Sequence, residues 1–154
     1  MAAVAYKPEG YHAVTPYLAV RDAVAAIAFY RRAFGAELVM KLTLPDGKYA
    51  HAEIRIGDCH VMLAEENPEW GNSSPQTLGG SPVSFLVYMP DVDAAHARAP
   101  AAGRTQARPV ENQFYGDCTG TLKDPFGFRW SLGTHNEDVS EAEGQRRMEA
   151  MFGG

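Results

Sequence analysis

Apolar and polar residues alternate through "YAHAEIRI" (49–56), so Ala50, Ala52, Ile54 and Ile56 share one face and His51, Glu53 and Arg55 the other. That is the pattern of a strand covered on one side only. "MKLTL" precedes it across a Pro-Asp-Gly turn, and "CHVMLA" follows the Gly57–Asp58 turn. Upstream, "LAVRDAVAAIAFYRRAFGAE" (18–37) passes from a short apolar strand into a helical period. Asp22 is placed to cap that helix, Gly35 to end it, and Val24, Ile27 and Phe34 to face the core, with Arg31 and Arg32 toward water. Alternation puts Val14, Leu18 and Val20 on the helix side of the first strand and Thr15 and Tyr17 on the other.

The second half repeats the order. A strand over "VSFLVY" meets Asp91, an alanine-rich helix ending near Gly103, and then "RPVENQ", "FYGDCTGTLK" and "FRWSLG". Pro100 removes an amide donor and is expected to distort the last helical turn. Val83, Phe85, Val87, Phe128 and Trp130 are expected on the helix side, and Ser84, Leu86 and Tyr88 opposite. A single offset pairs Tyr49 with Tyr115, His51 with Asp117 and Asp58 with Asp124 of the "DPFG" turn. The two Gly-Asp-Cys triplets, at 57–59 and 116–118, therefore fall at different places in one plan, and their likeness is accidental. The plan is βαβββ twice, an α+β fold class. We expect one domain over 1–154, with modules at about 12–65 and 82–136. A Pro/Gly/Ser-rich segment at 66–81 joins them, as a linker or an ordered loop. A C-terminal helix at about 140–152 opens on an S-x-x-E capping box, Ser140 and Glu143, and is weakened at Gly144. Met148, Met151 and Phe152 are available to dock it, over a sheet edge or onto a second subunit.

With 154 residues, 45% hydrophobic and 21% charged, the chain has ordinary globular composition. A formal net charge of −5 and the lack of a basic stripe disfavour a nucleic-acid partner. No apolar stretch approaches the ~20 residues of a membrane span, and the amino terminus lacks the layout of a secretory signal. Two cysteines make no disulfide framework, which fits a cytoplasmic setting. Neither has a neighbour that would activate a thiolate, so both read as small apolar residues.

The stretches "VTPYLAVRD", "IAFYRRAFGAE", "HAEIRIGD", "LGGSPVS", "FYGD" and "DPFGFRW" together resemble the glyoxalase/bleomycin-resistance/extradiol-dioxygenase (vicinal oxygen chelate) superfamily, and within it the PhnB-like branch. The resemblance spans roughly residues 12–140. It implies a U-shaped, barrel-like mixed sheet with helices on the convex face, a ligand inside, and a homodimer. Metal-dependent members carry His or Glu ligands on the first and last strands of each half. By position these fall at Thr15, Leu63 (or Met62, one residue away), Ser84 and Ser131. An alkyl or thioether side chain and neutral hydroxyls are poor ligands for a divalent ion, so no metal and no cofactor are expected.

The polar residues left on the helix-free faces are the candidate ligand contacts: Tyr17, His51, Glu53, Ser84, Tyr115 and Asp117. They mix acids, an imidazole and hydroxyls, a lining suited to a partly polar small molecule. Two readings stay open. One is metal-free sequestration of an antibiotic-like or metabolite ligand. The other is an enzyme of the same fold using a relocated metal or a His51/Glu53 acid–base pair, with Glu53 close enough to orient the imidazole.

Overall fold

The computed structural model describes residues 4–99 and 105–153. The chain forms two compact units, Met1–Gly80 and Ser81–Gly154. In the first, β1 (Tyr17–Val20) leads into α1 (Ala23–Phe34), then β2 (Glu37–Thr43), β3 (Tyr49–Ile56) and β4 (Cys59–Glu65). The sheet order is β1-β4-β3-β2, with β1 parallel to β4 and the other pairs antiparallel. A short helix, α2 (Pro75–Leu78), follows. The second unit repeats the plan with β5 (Ser84–Tyr88), α3 (Val92–Arg98), β6 (Thr105–Asn112), β7 (Asp117–Lys123) and β8 (Arg129–His135). Its order is β5-β8-β7-β6, again with one parallel pair, β5 with β8. Neither sheet closes on itself. The final helix is α4 (Glu141–Phe152).

Local chemistry sets these boundaries. The Asp22 carboxylate accepts from Ala25 N at 2.8 Å, and Asp91 from Ala94 N at 2.9 Å, satisfying amides that the first helical turn leaves unpaired. Gly35 closes α1 with φ +68°, a conformation that disfavours any side chain, and its N–H donates to Arg31 O. Pro100 and Gly103, expected at the end of α3, lie outside the described residues.

Helix α1 packs on β3 and β4. It buries Ala23, Ala26, Ile27, Tyr30, Ala33 and Phe34 above Ala52, Ile54, Ile56, Val61 and Leu63. Small alanines let the backbone approach, and each buried methylene removes about 0.8 kcal/mol worth of apolar surface from water. Val24 is 46% exposed, against expectation, because the buried stripe runs through its neighbours Ala23 and Ile27. Val14 is 86% exposed, since pairing begins only at Tyr17. Ala50 and Val83 are exposed for a similar reason, one at the start of β3 and one just before β5. Leu18, Val20, Phe128 and Trp130 are buried as the alternation requires.

In the second unit the core gathers on Trp130, whose ring lies 4.7 Å from that of Phe85. The buried Asp124 carboxylate organises the turn beneath it. Its Oδ1 accepts from Phe126 N and Phe128 N, both at 2.9 Å, and its Oδ2 from Trp130 Nε1 at 2.8 Å. Gly120 leaves the room on the helix side that Val110 and His96 fill.

Residues 66–81 are an ordered loop rather than a loose linker. Glu66 accepts from Ser74 N at 2.9 Å, Thr77 Oγ1 at 2.7 Å and Arg21 Nε at 3.2 Å. These donors hold its carboxyl down at about 2, the Ser74 bonds first.

The apolar residues of the tail do not cover this chain's own sheet. Met151 and Phe152 are exposed and Met148 is only partly covered. The ties are polar instead. The Arg147 guanidinium donates to Glu137 at 2.7 and 2.9 Å, to Glu143 at 2.6 Å and to Phe114 O at 3.2 Å. Gly116, at φ +103°, lies so close to the Glu137 carbonyl that an added Cβ would sit 2.1 Å from its oxygen. Ser140 Oγ accepts from Glu143 N at 3.3 Å, completing the N-cap.

Ile54 is fully buried under α1. Ile54→Ala should lower unfolding stability by about 2–5 kcal/mol, whereas Arg32→Ala on the outer face of α1 should stay within about 0.5 kcal/mol of the parent. Urea unfolding followed by tryptophan fluorescence and circular dichroism would read both.

Candidate functional site

Because each helix covers one face of its sheet, the polar side chains of the strands collect on the other. In the first unit the register places Tyr17 beside Met62 and Met62 beside Glu53. All three therefore share the helix-free face. Leu63 points into the core and is fully buried, so Met62, not Leu63, occupies the position where the resemblance would put a metal ligand.

His51 lies on the same face, two residues before Glu53. Its Nε2 is 3.0 Å from Glu53 Oε1, and its Nδ1 is 2.9 Å from the Tyr17 hydroxyl. The Tyr11 hydroxyl donates to the other Glu53 oxygen. A carboxylate can only accept, so Nε2 donates to Glu53; in the tautomer that leaves Nδ1 bare, Nδ1 accepts from the Tyr17 hydroxyl.

The second unit carries a related arrangement. Tyr88 pairs with Gly133, and Gly133 with Thr119. Tyr88, Gly133 and Thr119 thus correspond to Tyr17, Met62 and Glu53. Two residues before Thr119 stands Asp117, 5% exposed. The Tyr88 hydroxyl donates to Asp117 Oδ2 at 2.7 Å, as Tyr17 does to His51. The other oxygen, Oδ1, is 2.7 Å from His135 Nδ1, and His135 Nε2 is 2.9 Å from Asp138 Oδ1. A carboxylate at each nitrogen favours the protonated form of the His135 ring. The Asp117 bond first, then the Asp138 bond, push its pKa up. Burial works to raise the Asp117 carboxyl, but hydrogen bonds from His135 and Tyr88 outweigh it and the net direction is down. The bond to Asp117 raises the Tyr88 hydroxyl.

Beside this cluster, on the helix-free side of the second unit, is a cavity of about 300 Å³. Ser84, Leu86, Tyr115, Thr119 and Ser131 line it, and Arg108 and Glu111 close it from β6. Ser131 Oγ is 3.0 Å from Thr121 Oγ1. Of the six sequence candidates, Ser84 and Tyr115 line this cavity. Asp117 does not, since both its oxygens are engaged by Tyr88 and His135. Tyr17, His51 and Glu53 are joined to one another in the first unit. The sequence reading missed His135, Arg108 and Glu111. His135 could have been found from the hairpin itself, because it stands directly across from Asp117.

The donor set at the inherited metal positions, two serines, a threonine and a methionine, does not suit a divalent cation of the hard or borderline kind. Among the described residues His12, Asp58 and Cys59 do bring ligand atoms within 4.8 Å of one another, at an exposed turn. Burial and then Asp58 raise the Cys59 thiol, and burial and then Asp93 raise Cys118, so neither is an activated nucleophile.

The paired βαβββ order and the helix-free polar faces match a known family. Residues 11–132 fit the Glyoxalase/Bleomycin resistance protein/Dioxygenase superfamily. The chain belongs to that superfamily. An uncharacterized protein of Mycobacterium tuberculosis is 41% identical over 145 residues, which are 92% of this chain and 85% of that one. Among solved structures, TioX from Micromonospora sp. ML1 superposes with a TM-score of 0.63 at 25% identity, covering 79% of this chain and 97% of TioX. A PhnB protein from Bacillus cereus, described as a putative 3-demethylubiquinone-9 3-methyltransferase, shares the fold at TM-score 0.61 and 19% identity over 80% of this chain and 99% of its own. Superfamily members bind small molecules, and among the described residues no helix is long and apolar enough to cross a membrane.

The His135 pair gives a signed pH dependence. A raised folded-state pKa stabilises the protein fully below the ordinary histidine value of about 6.5, and that contribution is lost as pH rises through the higher folded value. The lowered Asp117 carboxyl acts in the other direction, stabilising above about 3.9 and losing its effect as acid protonates it in the folded state. His135→Gln should therefore cost most near pH 5–6 and progressively less toward pH 9. Thermal melting of both proteins across that range would check it.

Proposed function

We propose that this member of the superfamily binds and sequesters a small, partly polar ligand without metal, an antibiotic-like compound or a metabolite, in the cavity of its second module. The observation that carries this reading is the cavity lining. One wall is hydroxylic, at Ser84, Thr119 and Ser131, Leu86 is apolar, and Arg108 and Glu111 supply one charge of each sign. Such a lining orients a ligand by hydrogen bonds and holds it by apolar contact. Asp117 supports this site by fixing the Tyr88 hydroxyl at the edge of the same face, while Tyr17, His51 and Glu53 are proposed ligand contacts of the first module, apart from this cavity. The motif string from "VTPYLAVRD" to "DPFGFRW" favours the PhnB-like branch. A second reading, acid–base catalysis, is favoured by the bonded Tyr17–His51–Glu53 group.

The ligand reading is tested with bleomycin and a panel of natural-product antibiotics by thermal shift and then calorimetry. A binder should lose at least about tenfold in affinity, 1.4 kcal/mol, when Thr119→Trp fills the cavity, with the fold intact. Binding left unchanged by that substitution would place the ligand elsewhere.

We further propose a homodimer in a cytoplasmic setting. Edge strand β2 exposes Leu38, Val39, Met40 and Leu42, and α4 exposes Met151 and Phe152. Uncovered edges and apolar rims of this kind call for a partner. Sedimentation velocity at micromolar concentration should give twice the 16.8 kDa chain mass, and a monomer across that range would refute it.

A further inference from the structure

In the first module a hydroxyl, an imidazole and a carboxylate stand in one hydrogen-bonded line. Tyr17 Oη is 2.9 Å from His51 Nδ1, and His51 Nε2 is 3.0 Å from Glu53 Oε1. Burial is graded along it. The Glu53 and His51 side chains are 13% and 21% exposed, while Tyr17 is 51% exposed. The charged end is sheltered and the hydroxyl end meets solvent. Tyr11 holds the second Glu53 oxygen, which fixes the carboxylate, and the carboxylate in turn fixes the ring. The cross-strand neighbours are Leu42 beside His51 and Met62 beside Glu53. Neither brings a strong donor or acceptor to compete for the imidazole.

This is the order in which a weak nucleophile is activated by a base, and the base oriented by a third group. The second module makes a telling contrast. Tyr88, at the corresponding position, donates straight to the Asp117 carboxylate. A carboxylate whose proton affinity is lowered by His135 and Tyr88 is a poor proton acceptor, so that tyrosine has no comparable base.

We propose that Tyr17 is a nucleophile toward small activated acyl esters, with His51 as its general base and Glu53 as the residue that positions His51. Tyr17 Oη forms a bond to the acyl carbon as its proton passes to His51 Nδ1. The bond from that carbon to the leaving oxygen breaks, and the leaving group departs as its alkoxide or phenolate with the electron pair. His51 then gives that proton to the departing oxygen or to solvent and is a free base again. Water attacks the tyrosyl ester as His51 Nδ1 takes its proton, the bond from the acyl carbon to Tyr17 Oη breaks, and His51 returns the proton to Tyr17 Oη as the acid is released. No oxidant, metal or cofactor enters the balance.

The inference concerns module 1 alone and stands apart from the ligand cavity of the second module. Its test uses the full chain with p-nitrophenyl acetate as probe, nitrophenolate release as one readout and the site of acetylation by peptide mass spectrometry as the other. Tyr6, 96% exposed, is the internal reference for an unassisted tyrosine. Tyr17 should be acetylated about a hundredfold faster than Tyr6, the usual scale of general-base assistance. His51→Gln should bring Tyr17 down to the Tyr6 rate, Glu53→Gln should remove about tenfold of the hundredfold gain, and Tyr17→Phe should abolish the fast phase. Should His51→Gln melt below assay temperature, Glu53→Gln and Tyr11→Phe carry the decision, because each leaves the imidazole in place. Acetylation of Tyr17 no faster than Tyr6, or at an unchanged rate when its base or the base's carboxylate is replaced, would overturn the proposal. Neither result bears on binding in the second-module cavity, which is measured without ester.

Discussion

Everything in this molecule follows from one demand: in each unit a short alanine-rich helix must bury its inner face on one side of a four-stranded sheet. The sheet can satisfy that with one face only. Ala52, Ile54, Ile56 and Leu63 meet the demand in the first unit, Leu122, Trp130 and Leu132 in the second. Strand alternation then commits the intervening positions to the opposite face, where there is no helix to require apolar residues. The chemistry of the protein is therefore concentrated on the faces that packing left unconstrained.

The two units have used that freedom differently. Each keeps a tyrosine on its first strand that donates to the residue in the equivalent place on its third, His51 in one and Asp117 in the other. The shared hydrogen bond marks the common plan, and the change of acceptor marks the divergence. In the first unit the acceptor is an imidazole backed by Glu53. In the second it is a buried carboxylate hydrogen-bonded to His135, next to an open cavity. One half carries a bonded hydroxyl, imidazole and carboxylate in line, and the other an open cavity.

The sequence showed the scaffold well because its determinants are local. Asp22, Asp91 and Gly35 act within one turn of themselves, and alternation in 49–56 needs no distant partner. Val24 and Val14 were misplaced where periodicity is read off by one or continued past the start of pairing. The apolar residues of the tail are visible in the sequence, but its polar ties are not, because Arg147 reaches Phe114 O and Glu137 across a fold that the linear pattern does not display. His135 was missed because its meaning arises only opposite Asp117. Of the cavity lining, Ser84 and Tyr115 are legible in the sequence, while Arg108 and Glu111 are not, since they reach it through an irregular register on β6.

The Asp124 turn shows how chemical resemblance and structural tolerance can part company. Three N–H groups converge on its two oxygens, all buried. Asparagine has almost the same shape but would turn an NH₂ toward donors, and glutamate would carry the oxygens beyond their reach. The replacements that a substitution table ranks as gentlest are thus the ones this turn can least accommodate. A randomised library here should accept almost nothing but aspartate, in a segment whose proline and glycine would otherwise pass for an indifferent surface loop.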